Sequence, residues 1–254
     1  MQTKSPELTM NVSSKAFGKL IAYGFMSLKI GFRRIRFVSR ILNQKRRDYI
    51  DIDWATINHN RIELVNRLAQ QIQASSYLEI GTANNELFDS VICENKLGVD
   101  PHKGGNIRLT SDSFFEVNKT YFDLVFIDGL HTYEQVLKDV NNSLKFLNKG
   151  GVIALHDMFP RNWKECFMPP VTLSDWTGDV WKLGFSDFRS CDLEFVLVEA
   201  DHGLGVIKVV GSNLRDIESR EDLICKDFSF FYDNYKDLSI LSWKAAVDWI
   251  AKIN

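Results

Sequence analysis

The sequence predicts an α/β fold: a doubly wound, mostly parallel sheet with helices on both faces. Short apolar runs that end in acids carry the prediction. Tyr77-Leu78-Glu79-Ile80 runs into the turn Gly81-Thr82-Ala83-Asn84-Asn85, and about twenty residues after Glu79 a second run, Leu97-Gly98-Val99, ends at Asp100. Tyr121 to Ile127 ends at Asp128, and Val152 to Leu155 ends at His156-Asp157, with a helical pattern between them. Strand and helix alternating at this spacing imply parallel strands joined by right-handed crossovers. Ligands of such sheets bind beyond the carboxyl ends of the strands, where these acids stand.

The elements follow in order. Residues 1–50 form a basic amphipathic arm with net charge +9, from 11 Lys or Arg against Glu7 and Asp48. The remainder carries −11, from 20 Lys or Arg against 31 acids. Phe17, Leu20, Ile21, Phe25, Leu28, Phe32, Ile35, Val38 and Leu42 interleave with the arm's charges. Such a stripe packs on the rest of the protein or on a second copy in a homo-oligomer, or residues 15–47 lie on an anionic membrane surface. No uncharged stretch is long enough for a membrane span and no cleavage signal appears, so a cytoplasmic protein, peripheral to a membrane in the second case, is expected. Nucleic acid is not expected, since no recognition motif accompanies the charge. Four scattered cysteines without a CxxC pair argue against a zinc cluster and a disulfide framework.

A linker near Asp48 to Asn60 leads to a helix from Arg61 to about Ile72, inside a ligand-binding domain over residues 51–212. Thr132-x-x-Gln135 fits a capping box, and Val136, Val140, Leu144 and Leu147 continue its apolar stripe until Asn148-Lys149-Gly150-Gly151 stops it. Met158 to Thr172 lacks periodicity and reads as a loop over the ligand cleft. Glu194 to Glu199, the turn Ala200-Asp201-His202-Gly203, and Leu204 to Val210 form a hairpin. Residues 213–254 are an aromatic, helical extension with a helix from about Ile240 to Ile253. Its rings serve core or subunit packing, or line an acceptor pocket.

The first turn bears on ligand chemistry. A dinucleotide fold brings Gly-x-Gly-x-x-Gly amides against a pyrophosphate. Here the turn is Glu79-x-Gly81-x-x-x-Asn85, and a carboxylate there repels phosphate but suits an ammonium or sulfonium. Asp100, at the next strand end, suits the two hydroxyls of a ribose. Asn85 is a residue that tolerates a left-handed backbone. His131 and His156 follow strand ends and face the same cleft, with the proton affinity that general base catalysis at neutral pH requires.

With this turn the chain resembles the class I S-adenosylmethionine-dependent methyltransferases, with Asn85 where the family has a second glycine. Over roughly Ser75 to Val210, Phe126-Ile-Asp-Gly-Leu-His-Thr-Tyr-Glu134 and Gly150-Gly151-Val-Ile-Ala-Leu-His156-Asp157 resemble the sugar- and antibiotic-tailoring branch, and Trp176-Thr-Gly-Asp-Val-Trp-Lys182 is similar to glycan-modifying members. The resemblance implies a Rossmann-like sheet of seven strands in the order 3-2-1-4-5-7-6, with strand 7 antiparallel. It implies S-adenosyl-L-methionine held by Glu79, Gly81, Thr82, Asn85, Asp100, Asp112, Ser113 and Asp128. Asp112 is alternatively a helix N-cap, and His102 falls near the adenine. His131 would be the general base and His156 a second catalytic residue. Asp128, His156 and Asp157 stand where metal-dependent relatives hold magnesium, so Mg2+ or another divalent cation is expected, with His156 alternatively a pocket wall contacting the cofactor.

The function so implied is O-methylation of a hydroxyl on a small-molecule or glycan acceptor, such as a sugar, glycolipid or secondary metabolite. The competing readings are a non-catalytic nucleoside-binding module docked by its basic arm, and a hydroxylase related to cephalosporin-tailoring enzymes. If the arm meets a membrane, the intact protein binds anionic vesicles at low salt and leaves them as salt rises, and deletion of residues 1–47 abolishes binding. Co-sedimentation that leaves the intact protein in the supernatant at low salt supports packing instead.

Overall fold

The computed structural model describes residues 35, 37–42, 44, 48–172 and 175–253, so the basic arm lies for the most part outside the described residues. Residues 46–254 form one compact unit, which takes in both the expected ligand domain and the C-terminal extension. Its sheet has seven strands: β1 (Ser76–Ile80), β2 (Asn95–Val99), β3 (Phe122–Ile127), β4 (Leu147–Leu155), β5 (Leu193–Val198), β6 (Leu204–Val209) and β7 (Ile240–Leu241). They lie in the order β2-β1-β3-β4-β6-β5-β7. Strands β1 to β4 pair parallel, and β6 runs antiparallel to both β4 and β5, as expected of the terminal hairpin.

Two elements differ from expectation. The third strand, expected ahead of Thr110, is a single parallel bridge from Val99 to Ile107. Its residues are spent on a turn: Asp100 Oδ1 accepts from the backbone N–H of His102 (2.7 Å) and Lys103 (2.9 Å), and Gly104 and Gly105 are left-handed. The seventh strand is instead β7, parallel to β5 through Leu197–Ile240 and Val198–Leu241. The last helix accordingly begins at Trp243 rather than at Ile240, capped by Ser242, whose Oγ accepts from Ala245 N.

Helix α1 (Arg61–Gln71) starts at Asn60, whose side chain accepts from Ile62 N and Glu63 N. It buries Leu64, Val65 and Leu68 against Tyr77, Leu124, Phe126, Val152 and Ala154, joined by Ala246 and Ile250 of the last helix. Strand side chains alternate between faces, so Leu78, Val125, Ile127, Ile153 and Leu155, all buried, turn to the opposite layer. There the amphipathic helix Tyr133–Lys145 covers the sheet with Val136, Val140 and Leu144. The Met158 to Thr172 segment is packed, with Met158, Phe159, Trp163 and Phe167 buried around a short helix at Trp163–Cys166. Among the described residues no helix is long and apolar enough to cross a membrane.

A tight constraint is Gly81, at φ +86°, where a methyl group would overlap the carbonyl of Asp128. Gly184, by contrast, would place a methyl at 3.5 Å from Phe195, an ordinary contact. Gly81→Ala is expected to lower unfolding free energy by at least about 2 kcal/mol, from left-handed strain plus overlap, and Gly184→Ala by under about 1 kcal/mol. Urea denaturation of the two variants checks the contrast; equal losses would contradict it.

Candidate active site

Backbone approach between two strand ends builds the site. Gly81 N donates to Val99 O (2.9 Å) and Asp128 N to Ile80 O (2.8 Å), drawing the loops after β1, β2 and β3 together. Asn85 is left-handed at φ +65°, as its residue type allows, and its Oδ1 accepts from Gly105 N at 2.6 Å, so it also pins the β2 loop. Thr82 is buried and its hydroxyl reaches Lys103 O (3.4 Å). The result is a cleft of about 510 Å³, bordered by Gly81, Asp100, His102, Asp112, Asp128 and His131 among others.

Asp100 faces this cleft with both oxygens engaged, since Ala83 N donates to Oδ2 at 3.1 Å. Burial alone would raise its pKa, but the amides of Lys103, His102 and Ala83 outweigh it and hold Asp100 below the usual carboxylate range. A carboxylate has about four acceptor positions, so one remains for a ligand hydroxyl. Asp112 lines the cleft in the first turn of a helix, bonded to Lys138 Nζ (2.6 Å) and Gln135 Nε2 (3.1 Å). The N-cap there is Thr110, whose Oγ1 accepts from Ser113 N; Ser113 is not among the residues lining the cleft. Half of the expected capping box forms: Thr132 Oγ1 accepts from Gln135 N, while the Gln135 side chain turns to Ser111, Asp112 and Asp139.

Glu79 lies beneath the turn rather than on the cleft wall. It is 2% exposed and accepts the Tyr77 hydroxyl at 2.6 Å. Burial pushes its carboxyl up to about 7; the Tyr77 bond opposes the rise and the charge of Asp128 adds to it.

At the far end of the cleft the structure brings His131, His156, Asp128 and Asp157 together. His131 Nδ1 is 3.0 Å from Asp157 Oδ2 and its Nε2 3.5 Å from Asp128 Oδ1. His156 Nδ1 is 3.5 Å from Asp128 Oδ1 and 3.3 Å from Asp157 Oδ1. Burial disfavours charge on both imidazoles, but the carboxylates prevail: the pKa of His131 is raised, by Asp157 and then Asp128, and that of His156 well raised. Asp157 is held well below the usual range: burial alone would raise it, but His156 and His131 more than offset this. Among the described residues the ligand atoms lying within 4.8 Å of one another belong to Asp128, His131 and Asp157, so the group able to hold a cation has His131 where His156 was expected. His131 Nδ1 is buried and makes no aligned hydrogen bond among the described residues, which fits a ligand position. A mixed oxygen and nitrogen set of this kind suits manganese, iron or zinc as well as magnesium.

Several further residues gather at this centre that sequence reasoning did not assign to it. Trp176 stacks flat on His131, with ring centroids 5.3 Å apart and planes 6° apart. Gly178, at φ +66°, lies so close that a methyl there would overlap the His131 carbonyl. Asp179 Oδ1 accepts from Tyr133 N at 2.7 Å, and Lys182 Nζ holds its other oxygen at 2.9 Å. Asp201 of the hairpin turn and Arg61 of α1 stand behind His156. His202 lies in the same turn, its ring 6.4 Å from that of His156. His59 stacks on Trp243, away from the cleft.

Residues 35–158 match a family model described as a methyltransferase domain. An uncharacterized protein of Acanthamoeba polyphaga mimivirus is 27% identical, the match covering 44% of this chain and 66% of that protein, so the chain spans just under two thirds of the relative. Solved structures similar to this chain include a putative O-methyltransferase from Klebsiella pneumoniae, at 16% identity and TM-score 0.43, covering 64% of this chain and 84% of that one. An O-methyltransferase from Bacillus cereus in complex with SAH is 13% identical, at TM-score 0.43, covering 70% and 89%. These structural likenesses are distant; the functional reading rests on the family match and on the site.

The raised Glu79 carboxyl gives a test of this electrostatics. Its ordinary value of 4.5 applies to the unfolded chain, so between pH 4.5 and about 7 the folded state keeps a proton that the unfolded chain has lost. Stability from this group therefore falls as pH rises through that window. Relative to the parent, Glu79→Gln is expected to be of similar stability at pH 4.5 and more stable by up to about 3 kcal/mol at pH 8. Urea unfolding across pH checks this, and parallel pH profiles would contradict it.

Proposed function

We propose that the chain is a class I S-adenosylmethionine-dependent methyltransferase that methylates a hydroxyl of a small-molecule or glycan acceptor. The methyltransferase-domain match supports the coarser part, a methyltransferase that uses S-adenosylmethionine. The observation that carries the finer part is the half-buried His131, flanked by Asp157 and Asp128, at the end of a cleft whose other border is Asp100.

In this reading the ribose hydroxyls bind Asp100, and the adenine lies toward His102 and Asp112. The methionine end of the donor runs past Gly81, where a bare backbone permits close approach. Its sulfonium points toward Asp128, with Glu79 buried beneath the turn. His131 takes the proton of the acceptor hydroxyl; as the oxygen–methyl bond forms the sulfur–methyl bond breaks in line, leaving S-adenosylhomocysteine and a methyl ether. Asp157, beside Nδ1, orients the imidazole and stabilises the charge it gains. A divalent cation would be held by Asp128, His131 and Asp157, and would supply charge stabilisation for the acceptor oxygen. When His131 is a ligand, proton removal falls to another group, so the two roles of His131 are alternatives. The acceptor class is supported by resemblance of the loops around Asp128 and His156 to the sugar- and antibiotic-tailoring branch.

Titration calorimetry tests the donor site. S-adenosylhomocysteine is expected to bind the intact chain and to bind Asp100→Ala about 10- to 100-fold more weakly, the usual size of a hydrogen bond to a charged group. A wild-type chain that binds no S-adenosylhomocysteine, or a folded Asp100→Ala with unchanged affinity, would reject the proposal.

A further inference from the structure

Arg61, the first residue of α1, converges on two acids. Its backbone N–H and Nη1 both donate to Asp201 Oδ2, at 2.9 and 3.1 Å, and its Nη2 donates to Glu86 Oε2 at 2.7 Å. Asp201 stands in the β5–β6 turn, where Asp201, His202 and Gly203 have φ of +46°, +60° and +88°. Two successive non-glycine residues in the left-handed region are a strained arrangement, of the kind that persists where surroundings over-determine it. The surroundings here are the residues just after Asp157: Met158 N donates to Gly203 O (3.0 Å) and Phe159 N to His202 O (2.8 Å). A methyl group on Gly203 would overlap Phe159.

What this turn delivers is one carboxylate oxygen. Asp201 Oδ1 lies 3.4 Å from His156 Nε2, a buried nitrogen with no aligned hydrogen bond among the described residues. The opposite edge of the same ring faces Asp128 and Asp157 through Nδ1. A histidine ring has a broad, roughly two-fold side-chain torsion, so its two edges can exchange unless a partner marks one of them. Acids at both edges favour a proton on each nitrogen, and the carboxylate beside Nε2, carried on a braced turn, holds that N–H and so fixes the plane of the ring.

We propose that Asp201, braced by Arg61, is a positioning residue that fixes the ring of His156, keeping Nε2–H toward the turn and Nδ1 toward Asp128 and Asp157. The salt bridges from α1 to the hairpin thereby set the geometry of a centre to which neither Arg61 nor Asp201 contributes a reacting atom. The inference rests on reading the Asp128, His131 and Asp157 cluster as the reacting centre, but its test reads His156 itself.

The experiment is nitrogen-15 NMR of the full chain with labelled histidine, in chelator, with His156 assigned by its absence in His156→Gln. The expected wild-type signature is a proton on Nε2 that exchanges slowly with water. In Asp201→Asn this exchange is expected to quicken at least tenfold and the His156 ring resonances to shift. Arg61→Gln, which keeps the Asp201 charge and the backbone N–H bond to it but removes the guanidinium, is expected to move the same resonances in the same direction by less. A wild-type His156 without a proton on Nε2 overturns the proposal, as do His156 resonances and exchange unchanged in both folded variants. Calorimetry with S-adenosylhomocysteine on the same samples keeps the two readings apart. Asp201 does not line the donor cleft, so its substitution is expected to leave that affinity intact. A wild-type chain that fails to bind would sink the methyl-transfer reading while leaving the NMR result standing.

Discussion

The arrangement depends on one close approach, that of the Gly81 backbone to the carbonyl of Asp128, with no side chain between them. It draws the ends of β1 and β3 together, so that the loop carrying Asp128 and His131 opens onto the same cleft as the loop carrying Asp100. A sheet of parallel strands places all its carboxyl ends on one side, and the acids at those ends would repel one another if left uncompensated. The protein offsets that repulsion locally. Backbone amides surround Asp100, Lys138 and Gln135 hold Asp112, Arg61 holds Asp201, and two imidazoles lie among Asp128, Asp157 and Asp201. Among the described residues no cation pairs with Glu79, and burial pushes its carboxyl up to about 7. A bound sulfonium would favour its ionised form, and proton release on binding follows from that.

Much of this was legible in the sequence because strand-end chemistry is local. An apolar run followed by an acid marks both the strand and the place where its side chain emerges, and Asp100, Asp128 and Asp157 were found this way. The left-handed Asn85 followed from its residue type, and Thr132 from its spacing to Gln135. The hairpin and its antiparallel strand followed from alternation around a turn of Asp, His and Gly.

What escaped was tertiary. The third strand was lost because Asp100 captured the amides that follow it, and a short Ile-Leu pair 140 residues later completed the sheet from the other edge. Glu79 was expected to face the ligand, but its neighbour Tyr77 claims it and the turn covers it. Asp201 and Arg61 meet across 140 residues of sequence, and no local pattern ties either to His156. Trp176 and Gly178 wrap His131 from a segment whose own periodicity says nothing of where it packs. Local spacing reveals which residues end strands; it does not reveal which of them a distant loop will cover.

The most direct measurement of the central claim is a crystal structure of the intact chain with S-adenosylhomocysteine. The account predicts the ribose hydroxyls on Asp100 and the sulfur beside Gly81 and Asp128, with space beyond it bounded by His131. A cleft left empty at those residues, or one that takes a dinucleotide with its pyrophosphate on the Gly81 turn, would contradict it.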